Sequence, residues 1–183
     1  MATSRVVRVA VFVVLTSLGA FLKIPFFPVP LTLQTLFVIL SGIILGPKLG
    51  ALSQIIYITV GLSGIPVFAN GGGISYILSP TFGYIIGFIP AAYTSGMLSK
   101  QLAFSPIINM ILAATIGTTL IYLSGLPYLY IVMKYIIGKN LTLYHTLLYG
   151  CLVFLPGDAA KIIASALIGS KVTVRVLRMY ASR

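Results

Sequence analysis

Between Lys23 and Lys134 only two charged side chains occur, Lys48 and Lys100, and the stretches between them are long apolar runs punctuated by proline and glycine. A bilayer core takes roughly 20 apolar residues of helix to cross, so runs of this kind read as membrane spans. Lipid offers no water to backbone N–H and C=O groups, which restricts spanning structure to helices and closed barrels. The runs lack the alternating pattern of a barrel strand, and the expected fold is an all-α, polytopic bundle of six transmembrane helices. Charged residues make up only 7% of the chain, against about 25% in soluble domains. One membrane domain over residues 1–183 accounts for the length.

Taken in order, the pattern predicts helices over about residues 6–22, 32–45, 49–62, 81–98, 106–123 and 146–168. Lys23-Ile24-Pro25 ends the first, and Pro25, Pro28 and Pro30 impose an extended connection. Thr32 is placed to cap the second helix, with Gln34 one turn inside; Gly46-Pro47-Lys48 ends it. Ser53, Gln54 and Tyr57 give the third helix a polar side. Residues 64–79 are the least helical stretch: Gly64, Pro66 and Gly71 to Gly73 break regular structure, yet Val67, Phe68, Ile74 and Tyr76 are too apolar for a solvated tether. A pocket wall or lid is expected there. Gly125, Pro127 and Gly138 interrupt the stretch from Ser124 to Leu143, which reads as helix end plus loop. A basic tail, residues 171–183, follows the last helix.

Charge placement orients this arrangement. With the N-terminus cytoplasmic, Arg5, Arg8, Lys48, Lys100, Lys171, Arg175, Arg178 and Arg183 lie inside, while Lys23, Lys134 and Lys139 lie outside. That asymmetry obeys the positive-inside rule for a six-helix protein of the cytoplasmic membrane with both ends in the cytoplasm. The net charge of +11 thus reflects topology; the bases are scattered singly, with no basic stripe for nucleic acid. The lone Cys151 forbids an intrachain disulfide, and one histidine, His145, with one acid leaves neither a metal site nor a hydrolase triad to build. No Gly-rich phosphate loop ending in Lys-Ser or Lys-Thr occurs, so ATP coupling requires a partner. Neither an enzyme nor a resident cofactor is expected.

Asp158 is the single acidic residue. Leu155-Pro156-Gly157-Asp158-Ala159-Ala160-Lys161 puts it three positions before Lys161, on one helix face. Pro156 suits a first helical turn, which sets the carboxylate where the helix dipole favours it. Ionisable groups at bilayer depth cost roughly 2.5–3.5 kcal/mol each on insertion scales and face a protein interior or cavity. A ligand site is one reading; a self-neutralising pair that staples the last helix to its neighbours is the other.

The ordered set Val29-Pro30-Leu31-Thr32-Leu33-Gln34-Thr35-Leu36, Gly46-Pro47-Lys48-Leu49-Gly50-Ala51, Tyr57 with Gly64-Ile65-Pro66-Val67-Phe68, Pro80-Thr81-Phe82-Gly83-Tyr84 and Pro156-Gly157-Asp158-Ala159-Ala160-Lys161 resembles the BioY biotin transporters over about residues 9 to 170. The resemblance implies the substrate-binding S component of an energy-coupling factor (ECF) transporter. Such a component captures biotin outside and works with a transmembrane coupling subunit and ABC-type ATPases, although some members act without them; a stand-alone vitamin carrier is the alternative. By position, Asp158 and Lys161 correspond to the family's anchors for the biotin head group, and Asn70 to an asparagine that supplements ureido recognition. Phe68, Val67, Ile74 and Tyr84 are expected against the thiophane ring and valeryl chain, with Gln34 and Tyr57 as polar groups facing the pocket. Two departures stand out. No arginine lies between Arg8 and Arg175, and Tyr84 occupies the position of an arginine that holds the biotin carboxylate in some members. On the first helix, Val13 and Ser17 stand where alanines are frequent, leaving Ala10, Ser17 and Ala20 as a partly small face toward the coupling subunit.

Overall fold

The structure, a computed structural model, describes residues 2–101, 104–139 and 141–181. Helix α1 (Ala2–Phe21) leads into a minimal antiparallel hairpin of β1 (Lys23–Ile24) and β2 (Leu31–Thr32), with Lys23 opposite Thr32 and Ile24 opposite Leu31. Then come α2 (Gln34–Leu45), α3 (Pro47–Leu62), a turn of 3-10 helix (Ile74–Leu78), α4 (Phe82–Gln101), α5 (Pro106–Ile131), α6 (Leu143–Gly150) and α7 (Leu155–Ala181). Among the described residues, α1, α5 and the α6–α7 pair are long and apolar enough to cross a membrane, and α2 is a shorter apolar helix. The bundle is of the six-span type expected.

Helix α4 packs against α2, α3 and α5, while α7 closes the bundle against α2 and α5. The core runs through Val38, Ile39, Tyr57, Phe68, Ile85, Phe88 and Leu129, all essentially buried. Lipid cannot drive helices together as water does, so association rests on close packing. Gly42 makes that possible at the α2–α4 crossing: a Cβ there would lie 2.1 Å from the Ala92 carbonyl oxygen. Large apolar side chains such as Val6, Val14, Phe104, Leu123 and Ile163 remain uncovered on the outer surface, as a bilayer permits.

Several boundaries differ from the sequence reading. The fifth helix does not end near residue 123 with a loop to follow; α5 reaches Ile131 and continues as a π-helical turn through Ile136. Gly125 is not a breaker there but a contact, since a Cβ on it would sit 2.3 Å from the Tyr84 ring. Pro127 is accommodated within the helix, as membrane helices allow when neighbours satisfy the freed backbone. Termination falls instead to Gly138, whose φ of 75° suits glycine.

The second helix starts at Gln34, not Thr32, because Thr32 is held in the hairpin; its hydroxyl still accepts from the Gln34 N–H at 3.4 Å. Pro47 begins α3 in its first turn, leaving Gly46 as the whole connection. The final span begins at Leu143, breaks at Cys151 into a short 3-10 turn, restarts at Leu155, and runs helical to Ala181 rather than ending near 168. Arg183 of the basic tail lies outside the described residues. Ala20 is fully buried in the bundle, so of the small residues on α1 it is withdrawn from any outward face.

Candidate binding site

Three segments distant in sequence meet at one end of the bundle. They are the hairpin with the start of α2, the irregular stretch through Ala69 and Tyr76, and the first turn of α7. With α4 and α5 they enclose a cavity of about 70 Å³ whose lining includes Val29, Gln34, Ala69, Phe88, Tyr122 and Asp158. The walls are largely apolar.

Asp158 falls in the first turn of α7. Its Oδ1 lies 2.8 Å from Lys161 Nζ, and both side chains are withdrawn from the surface. The Tyr122 hydroxyl donates to Asp158 Oδ2. Lys161 Nζ also donates to the Thr32 carbonyl at 3.1 Å and to Thr35 Oγ1 at 3.0 Å, so the ammonium joins α7 to the hairpin and to α2. Pairing and hydrogen bonding of both ions is what makes a buried charge pair tolerable. A carboxylate beside an ammonium offers acceptor and donor to one polar ligand group.

Gln34 lines the cavity. Its Nε2 donates to the Tyr57 hydroxyl at 2.7 Å, which donates in turn to the Val67 carbonyl at 3.0 Å. Thr32 Oγ1 donates to Gln34 Oε1 at 3.2 Å. This relay ties the 64–79 stretch to the hairpin through α2 and α3. Tyr84 lines the cavity with its ring while its hydroxyl donates to the Gly150 carbonyl at 2.9 Å, bracing α4 against the break before α7. The ring meets Tyr122 edge-on with centroids 6.2 Å apart.

The remaining expected residues lie elsewhere. Tyr57 is fully buried behind Gln34 rather than in the lining. Phe68 is core: its ring covers Gly61, where a Cβ would stand 2.0 Å from the ring, and packs on Tyr57 and Tyr76. Ile74 is 70% exposed and Val67 is outside the lining. Asn70 is exposed, with Oδ1 accepting from Lys23 Nζ at 3.0 Å; it lines a separate outer hollow next to the cavity. Thr35, Thr81 and Phe88, from the segments that resemble the family, also line the cavity, and so do Thr118, Tyr122 and Phe154, for which the sequence carries no signal toward the site.

Comparison with known proteins places this geometry in context. The model of the BioY family matches residues 1–178. A probable biotin transporter BioY of Lysinibacillus sphaericus is 41% identical over 92% of the chain and 86% of that relative. One from Pyrococcus horikoshii is 40% identical over 93% and 97%, and the biotin transporter BioY of Rhizobium etli is 33% identical over 95% of each. A crystal structure at 2.1 Å of the S-component for biotin from an ECF-type ABC transporter superposes with a TM-score of 0.81 at 26% identity, covering 94% of this chain and 92% of that one.

Proposed function

The chain belongs to the BioY family, and from that premise we propose that it captures biotin within the membrane bundle, as the substrate-specific subunit of an ECF-type transporter, with Asp158 and Lys161 as the polar anchors of the site. The observation that carries the residue assignment is the hydrogen-bonded Asp158–Lys161 pair facing an apolar-walled cavity at the start of α7. A ureido group has two N–H donors beside one carbonyl acceptor. The carboxylate accepts from the former, and the ammonium donates to the latter. Val29, Leu31, Ile85, Phe88, Ile121 and Phe154 supply the apolar surface for a sulfur ring and alkyl chain.

At about 70 Å³ the cavity is far below the roughly 300–1,000 Å³ of pockets that hold drug-sized ligands, so admitting biotin requires the outer segments and the Tyr122 and Lys161 side chains to shift. The two termini lie in the cytoplasm, the hairpin and residues 64–79 face outside, and the coupling subunit with its ATPases reorients the loaded bundle. No chemistry is performed on the ligand.

Uptake tests the reading. Biotin-requiring cells that lack other biotin uptake should accumulate labelled biotin when they express the chain together with a coupling subunit and ATPases. Asp158→Asn should abolish that gain. Equal uptake by the variant would overturn the site assignment.

A further inference from the structure

The hairpin carries a cation for which the chain has no counter-ion. Asp158 is the only side-chain carboxylate in the sequence, and both of its oxygens are engaged, by Lys161 and Tyr122. Among the described residues Lys23 therefore meets neutral acceptors alone: its Nζ donates to the Ala69 carbonyl and to Asn70 Oδ1. These contacts place the ammonium beside the cavity, because Ala69 lines the cavity while Lys23 and Asn70 line a second hollow of about 300 Å³. Pro30 is shared by the two linings, so the spaces adjoin. Asp158 and Lys161 line the first space and Lys23 the second.

The other outer-facing lysines are differently occupied. Lys134 Nζ bonds the Tyr130 hydroxyl and lies over the Tyr130 and Tyr135 rings. Lys139 Nζ lies 4.2 Å from the centroid of the Phe27 ring, and Phe27 also lines the outer hollow, which makes Lys139 the natural competitor for any anion there.

We infer that the outer hollow is an anion subsite in which Lys23 takes the terminal carboxylate of the ligand whose ureido end is held by Asp158 and Lys161. The inference rests on the proposed biotin reading and adds the determinant for the acidic end. A carboxylate brings a full negative charge to the Lys23 ammonium where the Asn70 amide oxygen brings only a dipole, so the carboxylate displaces the Asn70 oxygen from Lys23. Asn70 is then released from its present partner, and the segment through Ala69 is no longer tied to the hairpin by that bond.

The test is equilibrium binding of biotin and of its neutral primary amide to the purified full-length chain, comparing wild type, Lys23→Gln, Lys23→Arg and Lys139→Gln. Wild type should prefer biotin to the amide by about tenfold, the low end for a bond to a charged group because Lys23 is exposed. Lys23→Gln should erase that preference by weakening biotin alone, Lys23→Arg should restore it, and Lys139→Gln should leave it intact. Equal weakening of both ligands by Lys23→Gln would reduce Lys23 to a clamp on the loop and overturn the subsite. So would loss of the preference in Lys139→Gln alone, or equal wild-type affinity for acid and amide. Wild type that is folded yet binds neither ligand would instead overturn the biotin reading itself.

Discussion

Charge removal at Asp158 and Lys161, singly and together, separates a binding site from a helix staple. The side chains of Lys161 and Asp158 are 14% and 6% exposed, so either ion left alone is poorly solvated. Breaking a buried pair by deleting one partner costs roughly 3–5 kcal/mol. In Asp158→Asn the ammonium keeps Thr32 O and Thr35 Oγ1, which places that variant near the lower end, about 3 kcal/mol. In Lys161→Met the carboxylate keeps only the Tyr122 hydroxyl, and the loss is larger, about 4 kcal/mol. The double variant Asp158→Asn/Lys161→Met leaves no net charge buried and should recover at least about 2 kcal/mol relative to the sum of the singles. Stability is read as the unfolding midpoint in mixed micelles of rising denaturing-detergent fraction, and function as labelled-biotin binding by each folded variant. Stability should return in the double variant while binding stays lost. A double variant that recovers both would refute the reasoning, because the pair would then be a staple alone.

Tyr122→Phe removes one hydroxyl bond to the buried Asp158 carboxylate in the ligand-free fold; with about 1.5–3 kcal/mol in such a bond, the unfolding midpoint should fall, as a thermal melt would show. Gly42→Ala brings a Cβ within 2.1 Å of the Ala92 carbonyl oxygen and should destabilise by 1–3 kcal/mol or more, visible as a lowered melting temperature and a broadened gel-filtration peak. Gly157→Ala meets nothing closer than Leu31 Cδ2 at 3.5 Å; it should leave stability unchanged or raise it by up to about 1 kcal/mol through helix propensity.

The parts of the site that were legible from sequence are those set by local spacing. Asp158 and Lys161 sit at i and i+3 after a proline suited to a first turn, and a lone acid in an apolar chain has few alternatives to facing inward. Tyr122 meets Asp158 across 36 positions of sequence, and by composition alone Tyr122, Tyr128, Tyr130 and Tyr135 all suit a membrane interface better than mid-bilayer, so no local pattern sets Tyr122 apart. Asn70 and Phe68 turned on side-chain placement within one irregular stretch. The space above Gly61 draws Phe68 into the core, and the Lys23 ammonium holds Asn70 at the outer hollow. Gly125 and Pro127 are breakers by composition, but the Tyr84 ring against Gly125 gives the glycine a packing role inside a continuing helix. Tertiary context overrode propensity at each of these positions.

Transport by this route depends on the chain holding biotin by itself. Equilibrium binding of labelled biotin to the detergent-purified chain, without coupling subunit or ATPases, tests it most directly. Saturable binding is expected, displaced by unlabelled biotin and weakened by Asp158→Asn by at least about tenfold, ~1.4 kcal/mol. A folded wild-type chain with no saturable binding would contradict it.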